Sequence, residues 1–407
     1  MYRQGNSKNS YNRRHYSGGR SRGRRNFGGG GTRRFAKSKI NPSKYVSKVI
    51  DESISQSKEY EGVDFSTFDL SPELMRNIAS KGYSKTTEIQ ETAIPLAQAG
   101  KDILGVSSTG SGKTGAFLIP LIDKIFKFRD QKILIIAPTR ELSQQIMKEG
   151  ISLVRGSRIR LEVLIGGESI SRQIWKLKGN PEIVVGTPGR LLDMVDRGAL
   201  RLNQFNNIVL DEVDRMLDMG FINDIKKVFE GTPKEKQVLF FSATINDKIQ
   251  RAINDMSRDY ETIKLSANTP IGRIKQDIVY FSQTSEKVEL LHEILLREEV
   301  TKTLVFVGTK RYADRIGDQL SSKGISSAVI HGDKRQSKRK QVLDLYRNSR
   351  VSVLVATDVA ARGIDIDDIS HVINLDEPND FDSYIHRIGR TGRNGRLGNA
   401  YTFVQKG

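Results

Sequence analysis

Short apolar blocks alternate along this chain with longer stretches in which apolar positions return at helical spacing. Residues 103–106, 132–137, 161–165, 183–185, 208–210 and 238–241 read as strands buried on both faces, because their apolar residues run on without polar alternation. Between them, residues 115–128, 141–154 and 170–178 carry the stripe of amphipathic helices. A looser stretch at 266–273 interrupts the series. It restarts with strands expected at 278–281, 304–307, 328–330, 353–355, 372–375 and 401–404. Strands alternating with helices in this way predict parallel, doubly wound sheets. The expected fold is α/β, with two tandem doubly wound parallel-sheet domains at 63–265 and 277–407, joined by a linker at 266–276.

Charge alters this picture at one end. Of the 66 Lys and Arg, fourteen fall in residues 1–50, which contain no Asp or Glu, so most of the formal net charge of +18 sits there. Residues 1–40 are rich in Arg, Gly, Ser and Asn with scattered aromatics, a composition that cannot offset its ordering entropy. They are expected to be disordered, within a tail and linker covering 1–62. The Arg/Gly run at 18–25 suits nucleic acid, since Arg engages phosphates while Arg and Tyr planes stack on bases. A solubilising tail and a targeting peptide are the competing readings; the lack of an apolar h-region and the Gly runs argue against the second. No apolar run approaches the roughly 18 residues of a membrane span. The chain has no Cys, which excludes disulfides and thiolate metal sites.

The stretch Ser107-Ser108-Thr109-Gly110-Ser111-Gly112-Lys113-Thr114 lies between an expected strand and an expected helix, the context of a phosphate-binding loop. Its glycines let backbone N–H groups turn onto phosphate oxygens at a helix N-terminus. Lys113 would reach the β- and γ-phosphates and Thr114 would hold Mg²⁺. A further carboxylate and a base are needed, and Asp211 and Glu212 supply both at the end of the strand at 208–210. Ser242 and Thr244, ending the next strand, could bond Asp214 and couple the site to the rest of the domain. In the second half, His386, Arg387, Arg390 and Arg393 fall within eight residues. If the domains face each other, Arg390 and Arg393 could neutralise charge on a γ-phosphate; an RNA phosphate contact and a solvated basic turn are the alternatives.

Taken in order, these motifs resemble the DEAD-box ATP-dependent RNA helicases, from about residue 65 to the end. The set comprises Gly82 to Gln90, the phosphate loop, Pro138-Thr139-Arg140-Glu141-Leu142, Gly166-Gly167, Thr187-Pro188-Gly189-Arg190, Asp211-Glu212-Val213-Asp214 and Ser242-Ala243-Thr244. Val305-Phe306, His331-Gly332-Asp333 with Gln336 and Arg339, the segment 356–365 and the segment 386–393 complete it. Any one motif is weak, but their joint order is very specific.

The resemblance implies two RecA-like domains that bind ATP with Mg²⁺ and RNA across their cleft. It implies that Lys113, Asp211, Glu212, His386, Arg390 and Arg393 are catalytic, and that Phe68, Tyr83, Lys85 and Gln90 lie at the adenine. Ser108, Thr109, Gly110, Ser111, Gly112, Lys113 and Thr114 would hold the phosphates, with Gly363 and Asp365 approaching on closure. Arg140, Gly167, Thr187 and Arg190 would grip RNA from the first domain, and Thr309, Gln336, Arg339 and Thr357 from the second. Such contacts reach phosphates and 2′-hydroxyls, giving RNA preference without sequence preference. The absence of a targeting segment favours the cytoplasm, and a monomer is expected; such enzymes serve processes such as ribosome assembly or RNA decay, between which the sequence does not choose. Val213 departs from the family's usual Ala and adds two methyls to a tight site. A non-hydrolysing ATP- and RNA-binding clamp and a DNA-directed helicase are the competing functional classes.

Overall fold

A computed structural model describes residues 41–46, 60–108, 110–265, 273–361, 368–392 and 396–406. The tail reading for 1–40 and most of the looser stretch at 266–273 fall outside the described residues.

The first sheet contains β1 (Ile103–Val106), β2 (Ile133–Ile136), β3 (Leu161–Leu164), β4 (Ile183–Gly186), β5 (Asn207–Leu210), β6 (Gln237–Ser242) and β7 (Glu261–Lys264). Its order is β3-β4-β2-β5-β6-β1-β7, and each pairing is parallel. The second contains β8 (Ile274–Phe281), β9 (Thr303–Val307), β10 (Ser327–Ile330), β11 (Val353–Thr357), β12 (His371–Asn374) and β13 (Gly398–Gln405). Its order is β10-β11-β9-β12-β13-β8, also parallel throughout. Central strands such as β2, β4 and β5 are buried along their whole length, as continuous apolar runs require. Helices cover both faces of the first sheet, so its apolar side chains fall into two clusters, one per face.

This order decides where the chemistry meets. β5, β6 and β1 are neighbours, so the residues that follow their C-terminal ends sit side by side at one edge, the usual ligand edge of such sheets. Val106 pairs with Ser242 in register, and Ser107 N–H then donates to Ser242 O at 3.1 Å.

Two strands differ most from expectation. β7 has no apolar block because it is an edge strand that buries only Ile263. β8 begins at Ile274, four residues before the expected start, since its first turns alternate buried Ile274 and Gln276 with exposed or half-buried Lys275 and Asp277. The short turn Pro42–Tyr45 is capped by Asn41, whose Oδ1 accepts the Ser43 N–H at 3.1 Å. No described helix is long and apolar enough to cross a membrane.

Candidate active site

The phosphate loop leaves β1 and enters the helix Lys113–Lys127 through Gly112, whose φ of 93° belongs to the left-handed region that favours glycine. A Cβ there would stand 2.5 Å from Thr87 Oγ1 and 2.8 Å from Gln90 Nε2, so a side chain at this point would be strained and would push both neighbours aside. Gln90 braces the loop directly. Its Nε2 donates to Gly112 O at 3.1 Å and its Oε1 accepts the Thr87 N–H at 3.1 Å. Ser107 and Ser111 hydroxyls share a hydrogen bond of 2.8 Å. Lys113 Nζ donates to Ser107 O at 2.6 Å and Ser108 O at 3.1 Å, folded into the loop that its charge serves. Gly110 is likewise left-handed, Thr114 is half-buried on the first helical turn, and Thr109 lies outside the described residues. Upstream, Phe68 packs at the edge of the core, Lys85 is exposed, and Tyr83 donates to Glu149 Oε1 at 3.1 Å.

Beside the loop, β5 delivers the acidic group. Asp211 is buried, and its Oδ1 accepts the Glu212 N–H at 3.0 Å. Burial, with the Glu212 charge adding to it, pushes its carboxyl up to about 7. Glu212 has φ 55° and ψ 55°, a conformation that a non-glycine residue adopts at a cost of about 1–3 kcal/mol. Burial would raise its carboxyl too, but Arg215 and then Arg390 outweigh it and hold Glu212 below the usual carboxylate range. Arg215 does this through an ion pair, Nη1 to Glu212 Oε2, of 2.8 Å. Burial lowers the Lys113 ammonium from its ordinary value, with Asp211 and Asp214 opposing the shift. Asp214 Oδ2 accepts the N–H groups of Ala243 and Thr244, each at 3.1 Å, and the Thr244 hydroxyl at 3.2 Å. Ser242 does not join them; its hydroxyl donates to Thr244 O at 2.6 Å. Val213 is buried in the core cluster below and displaces none of these contacts.

The second domain brings Arg390 to this edge. Arg390 is buried, its Nε donates to His386 O at 3.4 Å, and its charge acts on both Lys113 and Glu212. Arg387 faces its own domain, forking onto Asp358 with two bonds of 2.7 Å and donating to Asp376 O at 2.7 Å. Arg393, Gly363 and Asp365 lie outside the described residues.

The residues assigned to RNA divide into two groups. Arg140 covers Gly166 and Gly167, and a Cβ on Gly167 would also stand 3.5 Å from Gln336 Cβ. Next to it, Glu141 takes Arg339 Nη2 at 2.8 Å and Gln336 Nε2 at 3.4 Å, so Gln336 and Arg339 are engaged across the two domains. Arg190 donates to Gln173 Oε1 at 3.0 Å and pairs with Asp193 at 3.4 Å. Thr187 and Thr309 cap the helices that follow β4 and β9, and Thr357 ends β11. Sequence reasoning assigned no role to Glu141, Arg215 or Arg387. Arg215 had a local signal, standing one helical turn after Glu212, whereas the partners of Glu141 and Arg387 are distant in sequence.

Family models described as "DEAD/DEAH box helicase" and "Helicase conserved C-terminal domain" match residues 87–252 and 286–395. The chain is 44% identical over 342 residues to the ATP-dependent RNA helicase CshA of Listeria monocytogenes, aligning 84% of itself with 66% of that protein. It is 42% identical over 344 residues to the DEAD-box ATP-dependent RNA helicase CshA of Geobacillus kaustophilus, aligning 84% of itself with 73%. The chain thus spans 66% of the first relative's length and 73% of the second's. Among solved structures it is similar to S. cerevisiae Dbp5 bound to RNA and ADP BeF3, with TM-score 0.77, 32% identity, and coverage of 84% of this chain and 90% of that one. It is similar also to Mss116p bound to ssRNA and AMP-PNP, with TM-score 0.77, 28% identity, and coverage of 85% and 76%. With both family domains in order and relatives at 42–44% identity over most of its length, this chain belongs to the DEAD-box family of ATP-dependent RNA helicases.

Proposed function

We propose that this chain is an RNA-dependent ATPase whose two domains, over 63–265 and 277–407, close on ATP and RNA to separate short duplexes locally or to remodel RNA–protein complexes. The observation that carries this reading is the convergence of Lys113, Asp211 and Glu212 with Arg390 of the other domain in one buried electrostatic cluster. Lys113 binds the β- and γ-phosphates of ATP, exchanging loop carbonyls for phosphate oxygens. Arg215 engages Glu212 Oε2, which leaves Oε1 to accept the proton of the attacking water. Arg390 neutralises charge growing on the γ-phosphate, and only when the second domain is in place, which couples turnover to closure.

The residues present fit Mg²⁺. Asp211 is a buried carboxylate beside a second one, a site that a cation relieves, and the Thr114 hydroxyl lies at the start of the adjoining helix. An ion at this place would be held mainly by phosphates and water, with few protein ligands. When bound, Mg²⁺ neutralises the phosphate charge.

RNA preference is assigned to backbone contacts by Arg140, Gly167, Thr187 and Arg190 together with Thr309 and Thr357, reaching 2′-hydroxyls and phosphates. The test is steady-state phosphate release with and without single-stranded RNA, and with a matched DNA. RNA should stimulate turnover and DNA should not. Glu212→Gln should keep ATP binding and lose the stimulation; normal turnover in that variant would refute the base assignment.

A further inference from the structure

One fully buried aromatic precedes both domains in sequence. Tyr45, on the turn Pro42–Tyr45, packs among Ile274, Tyr384, Ile388, Ala400 and Val404. Its ring centroid lies 4.8 Å from that of Tyr384, tilted by 55°. Lys44 Nζ stands 5.5 Å over the Phe381 ring on the same helix. A segment that precedes the first domain in sequence is therefore seated on the second.

The helix it touches, Phe381–Ile388, presents two unlike sides. Tyr384 and Ile388, one turn apart, form the apolar side against Tyr45, and the Tyr384 hydroxyl donates to Gln276 Oε1 at 2.8 Å. Arg387 leaves from the other side into Asp358, Asn374 and the Asp376 carbonyl, and Arg390 follows one turn later toward the ATP site. Tyr45 thus backs the helix that leads directly into Arg390. The Tyr45 hydroxyl has no partner among the described residues, so it is the ring that fills the seat.

We propose that Tyr45 is a positioning residue, an intramolecular anchor wedged between β8, β13 and the helix Phe381–Ile388 that sets the placement of Arg390 for ATP hydrolysis. Its kinetic consequence rests on the ATPase reading given above; its seat does not.

The test compares Tyr45→Phe, Tyr45→Leu and Tyr45→Ala in the full chain, reading amide hydrogen exchange over residues 384–389 and, at saturating RNA, kcat and the KM for ATP. Tyr45→Ala should speed exchange there and lower kcat about 10- to 100-fold, the scale of a small misplacement of a catalytic group, with KM changed less than about twofold. Tyr45→Leu should fall between, which preserves the comparison if the Ala variant folds poorly. Tyr45→Phe should match wild type in both readouts. Wild-type exchange in the Leu and Ala variants would overturn the anchor, and fast exchange with wild-type kcat would overturn its positioning role. Equal loss in the Phe and Ala variants would also overturn the packing account. A wild type without RNA-stimulated turnover would sink the ATPase reading and the kinetic role, while exchange still decides whether Tyr45 is seated.

Discussion

Arg339→Ala separates two roles for one arginine, a grip on RNA and a clasp between domains. Arg339 pairs with Glu141 at 2.8 Å, and the two side chains are only 8% and 6% exposed. Removing one partner of a buried ion pair leaves an uncompensated charge, at a cost of about 3–5 kcal/mol. Gln336 still donates to Glu141 at 3.4 Å, so the lower end, about 3 kcal/mol, is the appropriate figure. That corresponds to about 10²-fold in the equilibrium between closed and open domains. On the proposed mechanism ATP and RNA both favour the closed state, so RNA affinity in the presence of a non-hydrolysable ATP analogue should fall by about the same factor. Affinity without nucleotide should stay near wild type, as should its salt dependence. Glu141→Gln should reproduce the loss, and the double variant should be no worse than Arg339→Ala alone. Fluorescence anisotropy with a labelled single-stranded RNA, across a salt series and with and without the analogue, measures all of this. Equal losses with and without nucleotide, with a salt slope reduced by about one, would show a phosphate ligand and refute the clasp.

Gly112→Ala should weaken nucleotide binding roughly tenfold or more, because a left-handed alanine costs about 1–3 kcal/mol and its Cβ meets Thr87 and Gln90; unchanged affinity for a fluorescent ATP analogue would contradict it. With Asp211 raised from 3.8 to about 7, the folded protein keeps a proton across that window that the unfolded chain releases. Nucleotide-free protein should therefore lose stability as pH rises from about 4 through about 7, and Asp211→Asn should flatten that slope and raise Tm at pH 8. Thermal melts across pH check this, and an unaltered slope in the variant would place the titration elsewhere. Val213 is 1% exposed, so Val213→Ala should destabilise the first domain by roughly 1–3 kcal/mol through the cavity it leaves. Urea unfolding measures the loss, and RNA-stimulated turnover per folded molecule should persist.

The strands most legible in the sequence are those whose burial is complete, although the partly buried β3 and β10 were located as well. β2, β4 and β5 are apolar throughout because both faces are covered, and their sequences declare it. β7 escaped because an edge strand needs only one buried side chain, here Ile263, to hold its place. The phosphate loop was readable for a similar reason. Its chemistry is local, since glycine at a positive φ, a helix N-terminus and a lysine one residue later lie within one short segment.

Partners distant in sequence were not readable in that way. Gln336 and Arg339 carry the donors of an RNA ligand, and nothing in their neighbourhood states that Glu141, 195 residues from Gln336, will take them. Tyr45 sits in a polar, basic stretch and would pass for a loop residue until the second sheet supplies its seat. The two parallel sheets and the local motifs follow from the order of residues, because periodicity, glycine placement and cap residues act over one or two turns of chain. Which charges meet is settled by the packed fold, because a buried ion pair or an aromatic seat depends on side chains from separate strands and helices arriving at one low-dielectric point.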